Sequence, residues 1–257
     1  MTLSLVDVEV RGRLAATTLS LAAGTLVAVV GENGAGKSTL LDVLAGVQRP
    51  DAGTVALQGT ALGTLAARER ARRIASLGQK NPACDELTVE ERIAQGLAAR
   101  RGHALIDEPT AARARAVAAE LGLEAHVTTS LGVLSGGFRR RAHLARALVD
   151  EEAAALVVDE PHAGVDVAQQ ALVSRALVRR ARAGQVVVFS VHELAVALQC
   201  ADRVVGLRAG RVVLDGPPAQ ALTAASLEAL YGIQGARVVV DDGVVGVLVP
   251  KDVSLRP

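Results

Sequence analysis

The stretch Gly31-Glu32-Asn33-Gly34-Ala35-Gly36-Lys37-Ser38-Thr39 constrains this chain more than any other. It lies between an apolar run, LVAVV at 26–30, and the apolar-periodic segment STLLDVLAGV. A strand, a glycine-rich turn and a helix in that order form a P-loop. Its glycines let backbone N–H groups turn inward and approach phosphate oxygens with no Cβ in the way. The helix opening near Lys37 aims the positive end of its dipole at the same anion. The pattern therefore predicts binding of a nucleoside triphosphate, with Lys37 reaching the β- and γ-phosphates and the Ser38 hydroxyl ligating Mg²⁺.

Hydrolysis requires carboxylates beside such a loop. AALVVDEP (154–161) ends a buried apolar run with two of them. Asp159 is placed to serve Mg²⁺ through water, and Glu160 to serve the water that attacks the γ-phosphate. A second Asp-Glu-Pro, in ALIDEPT at 104–110, has only three apolar residues before it, after RRGH, and so no strand to carry it into a sheet. Asp107 and Glu108 are read instead as solvated residues starting a helix at 109–121, where acidic side chains suit the dipole.

The remaining apolar runs, VVVFSV (186–191) and RVVGL (203–207), are separated by helix-length segments. Continuous apolar strands alternating with helices read as a parallel sheet covered on both faces. LSLVDVEV and TTLSLAA near the start alternate apolar with polar, the pattern of half-buried antiparallel strands. From about 83 to 150 there is no convincing strand. The expected fold is α/β, a P-loop NTPase core with an N-terminal antiparallel β subdomain and an inserted helical subdomain. We divide the single domain into a nucleotide-binding core (1–82 and 151–210), a helical subdomain (83–150) and a β-rich tail (211–257). In the tail a helix is expected near 219–231, and DDG between two valine runs signals a hairpin.

Composition narrows the class further. Lys+Arg number 28 against 27 Asp+Glu, and the aromatics are Phe138, Phe189 and Tyr231 alone. That balance argues against a nucleic-acid partner, whose backbone attracts net positive charge and whose bases stack on aromatic rings. The arginine runs at 139–141 and 179–182 are read as solvated helix faces. No apolar run approaches the ~20 residues that cross a bilayer, and no signal peptide is seen, so a soluble, cytoplasmic chain is expected. Cys84 and Cys200 suggest neither a disulfide framework nor zinc. Histidines 103, 126, 143 and 162 lack ligand-like spacing.

VLSGGFRRRAHLARAL (133–148) adds a second helix N-terminus able to hold an anion. Because the P-loop already supplies one phosphate site per protomer, a second invites a dimer. Here the sequence resembles the ABC-type ATPases, over essentially its whole length. The resemblance implies two subunits packed head to tail, with Ser135, Gly136 and Gly137 of one meeting the γ-phosphate of ATP on the other. It implies that Gln79, in RRIASLGQ, senses Mg²⁺ and the γ-phosphate. It also implies that Asp166, in GVD, communicates across the dimer and that His192, in VVVFSVHEL, contacts the γ-phosphate. With Glu160, His192 makes up the expected catalytic pair.

Three departures stand out. Residues 1–30 hold no aromatic to stack on adenine, leaving Arg11, Arg13 or a less base-selective site. Phe138, Arg139, Arg140 and Arg141 stand where the family commonly has Glu-x-Gln-Arg, and His162 stands where it has Thr. Finer similarity, in ARERARRIASLGQ, LTVEERIAQGL, DVAQQ and the tail LEALYGIQGARVVVDDGVVGVLVP from Leu227, is to importers of iron chelates (siderophores), haem and cobalamin. This implies a homodimer on the inner face of the cell membrane, an integral membrane permease and, indirectly, a substrate-binding protein. The alternative is a soluble ABC ATPase for cluster assembly or repair, although no long coiled-coil insertion is present.

Overall fold

A computed structural model describes residues 2–78, 85–101, 106–232, 237–241 and 244–248. Its centre is β3 (Leu26–Gly31), buried along its whole length. Parallel β8 (Val186–Ser190) and β9 (Arg203–Arg208) flank it. β7 (Ala155–Val158) and β6 (Ile74–Leu77) extend one side in parallel, and β10 (Arg211–Gly216) closes the other side antiparallel to β9. The order is β10-β9-β3-β8-β7-β6.

Because successive side chains point to opposite faces, each strand feeds two cores. Leu26, Ala28, Val30, Leu156, Val158, Val187 and Phe189 enter one. Val27, Val29, Ala155, Val157, Val186 and Val188 enter the other. Both faces are covered, as continuous apolar runs require.

The second core lies under α1 (Lys37–Leu44) and an antiparallel sheet ordered β2-β1-β4-β5. Its strands are β1 (Thr2–Val10), β2 (Leu14–Ala22), β4 (Ala52–Leu57) and the two-residue β5 (Thr60–Ala61). β1 and β2 bury alternate residues, the pattern expected of them. Strands β4, β5 and β6 escaped the sequence reading because they are short and their apolar residues too few to show a period. α2 (Ala67–Arg73) leads into β6.

The first core lies under the helical insertion and the helices after β7. The insertion holds α3 (Val89–Ala94), α4 (Ala98–Arg101), α5 (Glu108–Glu120) and α6 (Gly136–Leu148), with no strand among the described residues. Thr88 and Glu91 form a reciprocal capping box on α3. Asp107 accepts from the Thr110 N–H at 3.0 Å and caps α5, and both Asp107 and Glu108 are exposed. The second Asp-Glu-Pro thus starts a helix, one residue earlier than expected. α7 (Val167–Arg182) and α8 (Leu194–Cys200) complete this face.

The expected helix at 219–231 is two, α9 (Pro218–Ala221) and α10 (Ala224–Tyr231), because Thr223 caps a fresh start by accepting from the Ser226 N–H. β11 (Arg237–Asp241) and β12 (Val244–Leu248) pair antiparallel with Asp241 opposite Val244. Gln79, Cys84 and His103 lie outside the described residues, and no helix among those described is long and apolar enough to cross a membrane.

The arginine runs are not simply solvated faces. Arg141 and Arg180 are each 2 % exposed. Arg141 donates to the carbonyls of Leu121 and Gly122 at 2.6 and 3.2 Å, with its guanidinium 4.5 Å from the Phe138 ring centre. Arg180 donates to the Leu148 carbonyl and pairs with Glu120 and Glu151, tying α7 to the helical insertion. Buried charge persists only when paired or hydrogen-bonded, and here the partners are supplied by distant elements.

Candidate active site

The P-loop leaves the end of β3 in a conformation only glycine takes without strain. At Gly31 φ is 148°, and an added Cβ would sit 2.2 Å from the Leu207 carbonyl oxygen of β9. Gly31→Ala should cost at least about 2 kcal/mol, from overpacking together with the strained φ. Thermal unfolding reads this directly; an unchanged midpoint would mean that β9 yields at no cost. Gly36, the N-cap of α1, has φ 103° and its Cβ would meet the Arg13 carbonyl at 2.7 Å.

Most of the loop from Asn33 to Thr39 lines a cleft of about 580 Å³, together with Arg13, Glu160 and His192. Gly31 and Ala35 are buried behind it, and Glu32 is exposed. Lys37 is buried, and its Nζ donates to the carbonyls of Gly31 and Glu32, both at 2.9 Å. Burial lowers the ammonium's pKa, while the carboxylates of Glu160 and Asp159 pull it the other way.

Those carboxylates hang from the end of β7. Asp159 is 3 % exposed and accepts from the Ser190 hydroxyl, whose oxygen in turn accepts from the Glu160 N–H at 2.7 Å. Ser190 therefore sets both acidic residues from the end of β8. Sequence reasoning missed it; the available signal was a polar residue inside a buried strand, two positions before His192, which must find hydrogen-bond partners. Glu160 has φ 48°, in the left-handed region that costs an L-residue roughly 1–2 kcal/mol. Its Oε1 lies 2.7 Å from His192 Nε2. Thus Lys37, Ser38, Asp159, Glu160 and His192, far apart in sequence, are brought together.

Ser38 and Asp159 also share an adjoining cleft with Asp42. Burial raises the Asp42 pKa, and the charge of Asp159 raises it further. A hydroxyl beside clustered carboxylates is a hard-oxygen donor set, and these residues fit Mg²⁺.

The other stations sit elsewhere. Ser135 is the N-cap of α6, yet its side chain makes no capping bond, and Ser135 and Gly136 are exposed. Gly137 packs against the Gly164 carbonyl, where a Cβ would stand at 3.3 Å. Among the described residues, none of these three lines the P-loop cleft of its own chain. Asp166 caps α7, accepting from the Gln169 N–H at 2.9 Å.

The departures have local explanations. Arg13 lines the cleft and Arg11 does not. Phe138 meets His126 edge-on at 4.5 Å. His162 is buried, with Nε2 2.9 Å from the Ser174 hydroxyl and its ring 5.7 Å from Phe189; burial takes its pKa down to about 4, so it packs as a neutral side chain.

A P-loop core with an inserted helical subdomain whose last helix, α6, is headed by Leu-Ser-Gly-Gly defines an ABC ATPase cassette. The chain belongs to the ABC transporter family, whose model matches residues 14–163, and it is an ATP-binding, ATP-hydrolysing cassette. The hemin import ATP-binding protein HmuV of Rhodopseudomonas palustris is 38% identical over 198 residues, covering 74% of this chain and 71% of that protein. Among solved structures, an inward-facing metal-chelate type ABC transporter superposes with TM-score 0.79 at 23% identity, over 96% of this chain and 95% of that one. The dimeric post-hydrolysis cassette MJ0796, bound to ADP and Pi, gives 0.76 at 23% identity, over 84% and 98%.

Proposed function

We propose that this chain is the ATPase subunit of a haem importer, working as a homodimer at the inner face of the cell membrane on a separate permease fed by a substrate-binding protein. The similarity to a hemin import ATP-binding protein carries the cargo assignment, and it favours haem over siderophores or cobalamin. For the chemistry, the carrying observation is the Glu160–His192 contact at 2.7 Å on the wall of the P-loop cleft.

Lys37 and the inward N–H groups of the loop hold the β- and γ-phosphates. Glu160 takes the proton from the attacking water, and His192 fixes the Glu160 carboxylate and meets the γ-phosphate. Ser38, Asp159 and Gln79 would hold Mg²⁺. That ion would offset phosphate charge and polarise the γ-phosphoryl oxygens. Ser135, Gly136 and Gly137 close on the partner's ATP, with the uncapped start of α6 as the anion site. Exposed Val133 (78 %) and Val167 (82 %) flank that helix start and Asp166, which suits a face covered by a second copy. Arg13 is the base-side contact.

Affinity capture of the tagged chain from detergent-solubilised membranes of its host should bring down a polytopic permease. In proteoliposomes with its binding protein, hemin should then raise ATP turnover above that seen with ferric siderophores or cobalamin. Recovery of soluble partners alone, with the membrane fraction intact, would replace this reading with a permease-free ABC ATPase.

A further inference from the structure

Glu160 is held at both ends of its own residue. Its N–H is taken by Ser190. Its carbonyl oxygen accepts from the Arg140 guanidinium, through Nε at 3.1 Å and also through Nη2, which lies 3.4 Å from the Asp159 carbonyl as well. Arg140 thus spans the main chain of both acidic residues from α6, a different subdomain. These contacts clamp a residue whose φ of 48° is not one its side chain favours.

We propose that Arg140 is a positioning residue for hydrolysis: it holds the main chain of Glu160 so that its carboxylate faces the cleft and His192. The proposal rests on Glu160 being the base. Arg140 suits this task because its planar fork engages adjacent carbonyls at once. Among the described residues it has no carboxylate partner, so its hydrogen bonds are spent on this main chain. Nor is it needed to dock α6. That helix is anchored by buried Arg141 on the Leu121 and Gly122 carbonyls, by Arg146 on the Ser76 carbonyl at 2.9 Å, and by buried Leu144, Ala145 and Leu148. Arg140 itself is only half-buried.

The placement also has a mechanical consequence. Arg140 sits about one turn beyond Ser135–Gly137, the residues that meet the partner's nucleotide. Arg140 therefore gives the first turns of α6 a direct contact with the main chain of Glu160.

The test is ATP turnover of the full chain across ATP concentration, for Arg140→Ala and Arg140→Lys, each alone and in a Glu160→Gln background. Misplacing a catalytic group by about 1 Å costs on the order of 10²-fold. Arg140→Ala should therefore lower kcat about 10- to 100-fold with KM for ATP changed less than about twofold, and Arg140→Lys, keeping a donor without the fork, should fall between. In the Glu160→Gln background, with no base left to place, Arg140→Ala should change the residual rate less than about twofold. Wild-type kcat in Arg140→Ala overturns the proposal, as does a loss carried by KM or an equal loss in both backgrounds. Full turnover by Glu160→Gln alone would instead remove the base assignment, and the positioning role with it.

Discussion

Glu160→Gln is expected to lower ATP turnover by about 10²–10⁴-fold, the usual contribution of a positioned general base, while ATP remains bound. The amide is nearly isosteric with the carboxylate and can still meet His192 Nε2, now 2.7 Å from Oε1. It cannot accept the water's proton. The main-chain clamps on residue 160 are untouched, since Ser190 and Arg140 engage its N–H and carbonyl. One negative charge beside the γ-phosphate disappears, so the ATP-bound dimer should accumulate. Phosphate release measures the first effect, and light scattering with and without ATP the second. Undiminished phosphate release would assign the proton to another group.

Lys37→Ala should abolish productive ATP binding. A charge-assisted hydrogen bond contributes roughly 1.5–3 kcal/mol, so losing contacts to two phosphates amounts to about 10²–10⁴-fold in Kd. The substitution also removes the donor to the Gly31 and Glu32 carbonyls and a cation that interacts with the charges of Asp159 and Glu160. A triphosphate then enters a cleft walled by the Glu160 carboxylate, with Asp159 and Asp42 in the cleft adjoining it. Titration with a fluorescent ATP analogue reads the loss. Wild-type affinity would mean that the loop's N–H groups carry the phosphates alone.

The contrast between Ser190 and Glu160 explains how much of the site was legible beforehand. Glu160 ends an apolar run, and an acidic pair at a buried strand end announces itself by pattern. Ser190 is one small polar residue in VVVFSV, and its importance arises only when β8 lies beside β7 and brings it to residues 30 and 31 positions earlier. Arg140 differs again. Its residue type departs from the family's, so the resemblance names no partner for it, and only the docking of α6 against the end of β7 discloses the acceptors. Burial of Arg141 and Arg180 was misread for a related reason: charge composition counts ions without saying which helix will cover them.

The sequence by itself determined the elements whose causes are local. These are the glycine-rich phosphate cradle between strand and helix, the buried parallel strands, the alternating N-terminal pair, the helical insertion and the capped start of α5 that displaced a tempting decoy. Each follows from a period of two, from a capping side chain or from the φ freedom of glycine, all properties of a few consecutive residues. Tertiary structure alone decided the strand order and the network linking Ser190, Glu160 and Arg140. Those contacts join residues 20 to 31 positions apart, and their formation depends on which surfaces pack together, a choice made by burial of the whole core rather than by any short stretch of it.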